Sequence, residues 1–341
     1  MKSRSLGRFC LGSLLCAGFV VLAQAEERYQ FLKEIPVGGE GGWDCLSTDA
    51  ASHRLYVTHA TKIVVIDSVN DVVVGEINGL NGAHDFAVAT KSSRGFASSG
   101  RDNTVNMIDL GNLQTLAKIS TGQNPDIMLF EPTQEEVYAF NGRAQSATVI
   151  SPSSGKVTAT IPLGGKPEFA QADAGRVFVN LEDKNEVAVL DAKTHAVTHR
   201  WPIAPGEEAT GMAIDRAHHR LFLGCGNAKL VILDCEDGHV VAVLPVGNGI
   251  DGAAFDPATQ LAFVPNGADG TLTVVHEDSP DKFIIVQTLN TERSARTIAL
   301  DPASHKIYLP SAQFEPKKPG DTKRPKMVPG TFKVLVYAPK S

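Results

Sequence analysis

Basic clusters are missing from the body of this chain. Lys and Arg number 32 against 38 Asp and Glu, for a formal charge of −6. Such a surface has little with which to neutralise a run of phosphates, so nucleic acid is not an expected partner. Long apolar runs are missing too. Beyond the first 22 residues nothing approaches the roughly 20 apolar residues of a membrane-crossing helix, and no membrane span is expected. No 3.6-residue apolar period lasts more than a turn or two, which argues against α/β folds. Cysteine is scarce, with five residues. None sits in a Cys-x-x-Cys pair or a Cys-x-x-Cys-His haem-attachment motif, so neither covalent haem nor a paired-cysteine zinc site is expected. No nucleophile elbow occurs. Gly247-Asn248-Gly249-Ile250-Asp251-Gly252 matches the dinucleotide fingerprint letter for letter, but that motif works only between a strand and a helix N-terminus. Here it connects two β-rich units, and no nucleotide cofactor is expected.

The first residues present are informative. Lys2, Arg4 and Arg8 precede an apolar run from Phe9 to Leu22 and then Ala23-Gln24-Ala25, a small-x-small site. This pattern predicts a signal peptide cleaved after Ala25 and a periplasmic or secreted protein. Cys10 and Cys16 leave with it. Cys225 and Cys235 flank one hairpin, roughly 20 Å apart at strand rise, far beyond the ~7 Å a disulfide tolerates. With Cys45, they are expected to be free thiols.

The rest of the chain repeats itself. Asp44, Asp85, Asp126, Glu168, Thr210, Asp251 and Arg296 open seven units spaced 41 to 45 residues apart. Each unit holds a β-rich run such as Arg54-Leu55-Tyr56-Val57-Thr58-His59, then one such as Ile63-Val64-Val65-Ile66-Asp67, then a fourth ending in phrases such as Ile161-Pro162-Leu163-Gly164. Four strands per unit of this length predict a β-propeller of seven blades, each of four antiparallel strands, in one domain over residues 26–341. The seventh unit stops after its third strand. Tyr29 to Val37 matches the missing fourth and is expected to close the ring, covering an edge that would otherwise invite aggregation.

Tyr56-Val57-Thr58-His59 and the recurring Val-x-Val-Ile/Leu-Asp third strand resemble the YVTN family of seven-bladed propellers, over essentially the whole chain after the leader. The resemblance implies a fold and not a function, because propellers host binding scaffolds, lyases, lactonases and electron-transfer proteins alike.

In a propeller the opening residues of all units gather at one mouth of the central channel. That ring would hold the seven residues above, with Trp43 and His84 beside it. The ends of the second strands would add Arg101, Asn141, Arg143, Asn180, Glu182, Cys225, Asn227 and Asn266. Crowded carboxylates raise one another's pKa unless cations or a ligand compensate, and Arg101, Arg143 and Arg296 suit that role. The alternative is structural, since Asp at a strand start often caps turn donors. The departures from the repeat, Trp43, Glu168 and Arg296, point more strongly to function. His59, His84 and Asp85 are the candidate metal ligands, because imidazole with carboxylate suits zinc or copper. His218-His219 falls in a turn on the opposite face and reads as solvated.

One loop, 312–330 in the last blade, is far longer than its counterparts. It carries Pro316, Pro319, Pro325 and Pro329, with Lys317, Lys318, Lys323, Arg324 and Lys326 against Glu315 and Asp321. Long loops in compact domains are usually functional or disordered, and a lid over the mouth is expected. Together these features predict an exported, monomeric propeller binding a small polar or anionic ligand, or a protein partner, at the mouth. The alternative is a propeller enzyme, a lactonase-like hydrolase or a lyase. Its base would be His84 or Glu168, and Arg296 would stabilise an oxyanion.

Overall fold

Each β-rich unit carries one aromatic residue at the same place in its second strand: Tyr56, Phe96, Tyr138, Phe178, Phe222, Phe263 and Tyr308. All seven are buried. In register each stands opposite a branched or flexible apolar residue of the third strand, as Tyr56 does Val65, Phe96 Met107 and Phe263 Val274. Period-2 alternation then sends every second side chain toward one neighbouring blade or the other. Tyr138 and Phe140 of blade 3 therefore share a core with Val177 and Val179 of blade 4. The fold is a ring of sheets glued face to face.

The computed structural model describes residues 28–316 and 325–340. The expected leader, with its cleavage site, and the loop tip bearing Lys317, Lys318, Pro319, Asp321, Lys323 and Arg324 lie outside the described residues. Seven four-stranded antiparallel sheets form the blades. Blades 1 to 6 span 46–78, 83–120, 125–162, 167–202, 209–245 and 254–290, and blade 7 takes three strands from 299–339. Among the described residues the only helical pieces are two short 3-10 turns, Thr90–Ser92 and Glu182–Lys184. First strands touch neighbour to neighbour in a closed ring and so line the channel. Fourth strands lie outermost and are largely exposed, as Val72–Asn78 is, with Ile77 its one buried residue.

The strand Tyr29–Pro36 completes blade 7, pairing antiparallel with Lys333–Pro339 from Tyr29 opposite Pro339 to Pro36 opposite Lys333. Two devices hold it. Tyr29 packs edge-on against Phe263, ring centroids 4.9 Å apart, and donates its hydroxyl to the His305 carbonyl. The Gln287 side chain of blade 6 accepts from the Tyr29 backbone N–H and donates to its carbonyl.

The inner strands are not uniform. Blades 2 to 5 begin with seven-residue strands, but those of blades 1, 6 and 7 shrink to Leu46–Asp49, Ala254–Asp256 and Ala299–Asp301. In these three adjacent blades the opening residues Asp44, Asp251 and Arg296 sit on irregular backbone before the strand. Of the departures from the repeat, Trp43 and Arg296 fall on this irregular backbone, while Glu168 and Thr210 lie in regular strands.

Candidate functional site

Arg296 organises that irregular arc. Its Nε donates to Asp251 Oδ2 at 2.6 Å, and Nη2 reaches the Trp43 carbonyl at 3.2 Å and Asp44 Oδ1 at 3.4 Å. One guanidinium thus joins blades 6, 7 and 1, which its planar fork of donors allows. It also lies 5.9 Å from the Trp43 ring. Asp44 passes the connection on, its Oδ2 lying 2.7 Å from Nδ1 of His84 in blade 2. The same nitrogen is 3.5 Å from Asp126 of blade 3. In blade 4, Lys166 pairs with both Glu168 and Glu182. Carboxylates and cations alternate along this arc from blade 6 round to blade 4. Blade 5 interrupts it, because Thr210 turns its hydroxyl to the Ile250 carbonyl.

Where the arc crosses blades 7, 1 and 2 lies a pocket of about 490 Å³, lined by Gly41, Gly42, Trp43, Asp44, His84, Arg101 and Arg296 among others. The run Gly38-Gly39-Glu40-Gly41-Gly42 makes this wall possible. Gly41 has φ +100, and a Cβ there would come within 2.6 Å of the Ala60 Cβ. Any larger residue would be both strained and in collision.

Burial and mutual repulsion set the protonation of the mouth. Burial raises the Asp85 carboxyl to about 7, against hydrogen bonds from the Met128 and Phe86 backbone that favour its charge. Asp251 is pushed up to about 6 by burial, with Arg296 opposing. Asp126 and Glu168 are also driven upward, by burial first. For His84, burial favours the neutral ring. The hydrogen bond to Asp44 and the charges of Asp126, Asp44 and Asp85 outweigh it and raise the imidazole to about 9. At neutral pH His84 is a cation between carboxylates.

Asp44, His84, Asp126, Glu168, Glu182, Asp251 and Arg296 belong to the arc. Trp43 forms its apolar flank, stacked on Phe332 at 5.0 Å and tilted against Phe314 at 5.9 Å. Arg101 and Arg143 are exposed at the rim. Other expected contacts are engaged in the protein's own hydrogen bonds. Asn141, Asn180 and Asn266 are fully buried, and each uses its side-chain N–H groups within the ring wall: Asn141 on Ser146 and Thr148, Asn180 on the Gly211 carbonyl, Asn266 on Thr271 and Thr273. Asn227 ties the Glu207 N–H to the Pro205 carbonyl. Asp85 turns inward to accept from Phe86 and Met128.

Of the three candidate metal ligands, His84 alone belongs to a metal-spaced group at the mouth. His59 faces Phe332 instead. It is buried with its ring 4.4 Å from that of Phe332, and burial lowers its pKa. The metal-spaced group at the mouth is Asp44, His84 and Asp126, without His59 or Asp85. Sequence reasoning missed Lys166, whose signal was a cation two residues ahead of the ring position Glu168. The stem of the long loop pairs Phe314 with Met327 beside Trp43. Cys45, Cys225 and Cys235 are buried free thiols.

No protein-family model and no curated protein matches the chain. Among solved structures it is similar to a chain of Kuenenia stuttgartiensis hydrazine synthase. The match has a TM-score of 0.67 at 14% identity, over 79% of this chain and 92% of that one. At that identity the likeness establishes the propeller and carries nothing about activity.

Proposed function

We propose that this is an exported propeller of the YVTN type that binds a small polar molecule at the channel mouth. The observation that carries the reading is the alternating arc Asp251–Arg296–Asp44–His84–Asp126, whose members Asp44, His84 and Arg296 line a pocket of about 490 Å³. That volume falls in the usual range for small-ligand sites, about 300–1,000 Å³, and favours a small molecule over a protein partner. Arg296 and Arg101 suit an oxyanion on the ligand, while Asp44, with Asp126 and Glu168 farther along the arc, suits a hydroxyl or amine. Trp43 offers one apolar wall.

A thermal-shift screen of carboxylates, amines, sugars and phosphate tests this. At least one class is expected to raise the melting temperature of the wild type, with affinity reduced tenfold or more in Arg296→Gln and in Asp126→Asn. Shifts that survive both substitutions, or no shift with any class, would remove the mouth as the site.

One observation favours an enzyme as a second reading. Burial holds the Glu168 carboxyl above its ordinary range at the channel mouth, and strongly perturbed groups cluster at catalytic sites. His84, protonated at neutral pH, would then act as acid, and Glu168 is the better base. Under this reading Glu168→Gln abolishes turnover. Under the binding reading it only weakens affinity.

A further inference from the structure

The turn after each first strand follows a rule in several blades. Asp49, Asp256 and Asp301 each accept a backbone N–H two residues on and a hydroxyl three residues on, from Ser52, Thr259 and Ser304. Blade 5 keeps the Asp and the N–H, with Asp215 accepting from Ala217 at 2.9 Å, but puts His218 where the hydroxyl belongs. The His218 Nδ1 lies 2.7 Å from Asp215 Oδ2 and 3.0 Å from Glu277 Oε1. At neither contact does it meet hydrogen-bond geometry.

Glu277 is the second departure. It follows the third strand's usual closing position in blade 6. The equivalent residues elsewhere are small or apolar, such as Ser68, Leu110, Ala192 and Cys235. The Glu277 side chain is 0% exposed, yet among the described residues neither carboxylate oxygen has a hydrogen-bond partner. A buried carboxylate without donors, beside a second carboxylate that is 3% exposed, is costly unless a cation is present. The nearby arginines are engaged elsewhere: Arg220 on Asp234, Asp281 and backbone carbonyls, Arg216 on the Ala172 carbonyl.

We propose that Asp215, His218 and Glu277 bind a divalent transition-metal ion, of the zinc class, on the face opposite the mouth, so that the ion clamps blade 5 to blade 6. The three ligand atoms lie within 4.8 Å of one another. Zinc bonds of about 2.0–2.2 Å place ligand atoms roughly 3–3.5 Å apart, so the His218 contacts of 2.7 and 3.0 Å would open slightly on binding. Two carboxylates and a neutral imidazole match a divalent charge, and the exposed edge of His218 leaves room for a water as fourth ligand.

The test is zinc titration of the chelator-stripped full chain, followed by elemental analysis and by melting temperature. A His84→Ala background removes any contribution from the mouth. One equivalent of zinc and a melting temperature several degrees higher are expected. In His218→Ser, which installs the hydroxyl that blades 1, 6 and 7 already carry, affinity should fall at least a hundredfold while the metal-free fold is retained. Equal zinc binding with and without His218, or no stoichiometric zinc in the parent, would overturn the proposal. In the latter case a protonated His218 would serve as the carboxylates' only counter-charge.

Discussion

Asp44–His84–Asp126 at the mouth and Asp215–His218–Glu277 on the opposite face are the same constellation in different company. In both, one imidazole nitrogen stands between two carboxylates, with closest approaches of 2.7 Å. At the mouth the acids are partly exposed, and Asp44 shares Arg296 with Asp251. On the opposite face the acids are sealed, and no arginine or lysine pairs with them among the described residues. Residue type and spacing thus leave chemistry undecided. The counter-charges around the cluster determine whether it offers an open polar surface or a demand for a cation.

Breaking this difference gives the largest effects. Arg296→Ala strips the mouth of its compensation and leaves Asp44 and Asp251 facing each other. It should cost about 2 kcal/mol by denaturant unfolding, less than the 3–5 for a fully buried pair because the arginine is 34% exposed. It should also raise the affinity of the mouth for zinc. A stable variant with no gain in metal affinity would show that Arg296 is not what separates the clusters.

Next in size is the opposite cluster without metal. Burial and then Asp215 raise the Glu277 carboxyl, so the folded state holds its proton more tightly than the unfolded chain. Stability associated with that proton is present below the ordinary carboxylate pKa and is lost as pH rises above it. Glu277→Gln should therefore stabilise the metal-free protein by roughly 1 kcal/mol at pH 8, with no such gain at pH 4, while destroying zinc affinity. A variant equally stable at both pH values relative to wild type would mean that Glu277 is already neutralised.

The smallest effect is the most specific. His84 titrates near 9, above its ordinary 6.5, so its stabilising charge is complete below about 6.5 and fades as pH rises through 9. Imidazole resonances followed by NMR should show that value falling by a unit or more in Asp44→Asn. An unmoved titration would assign the shift to Asp126 and Asp85 instead.

The repeat made the architecture legible, because seven opening residues at near-constant spacing and a missing fourth strand leave few ways to close a ring. The arc was legible in its irregular members, since Trp43, Glu168 and Arg296 break a pattern that packing alone would preserve. Its amides were not. Asn141, Asn180 and Asn266 lie at or near strand ends on the expected face. Yet whether such a side chain turns outward or into the wall depends on hydroxyls of the next strand for Asn141 and Asn266, and on a backbone carbonyl of the neighbouring blade for Asn180. The opposite cluster was hidden for a related reason. Glu277 lies 62 residues from Asp215, and only the packing of blade 5 on blade 6 brings it to His218, which by itself reads as a turn residue.

The most direct measurement is anomalous diffraction at the zinc edge from crystals of the full chain grown with one equivalent of zinc. A single peak between Asp215, His218 and Glu277, with none between Asp44, His84 and Asp126, is the predicted result. A peak at the mouth with the opposite cluster empty would contradict the account.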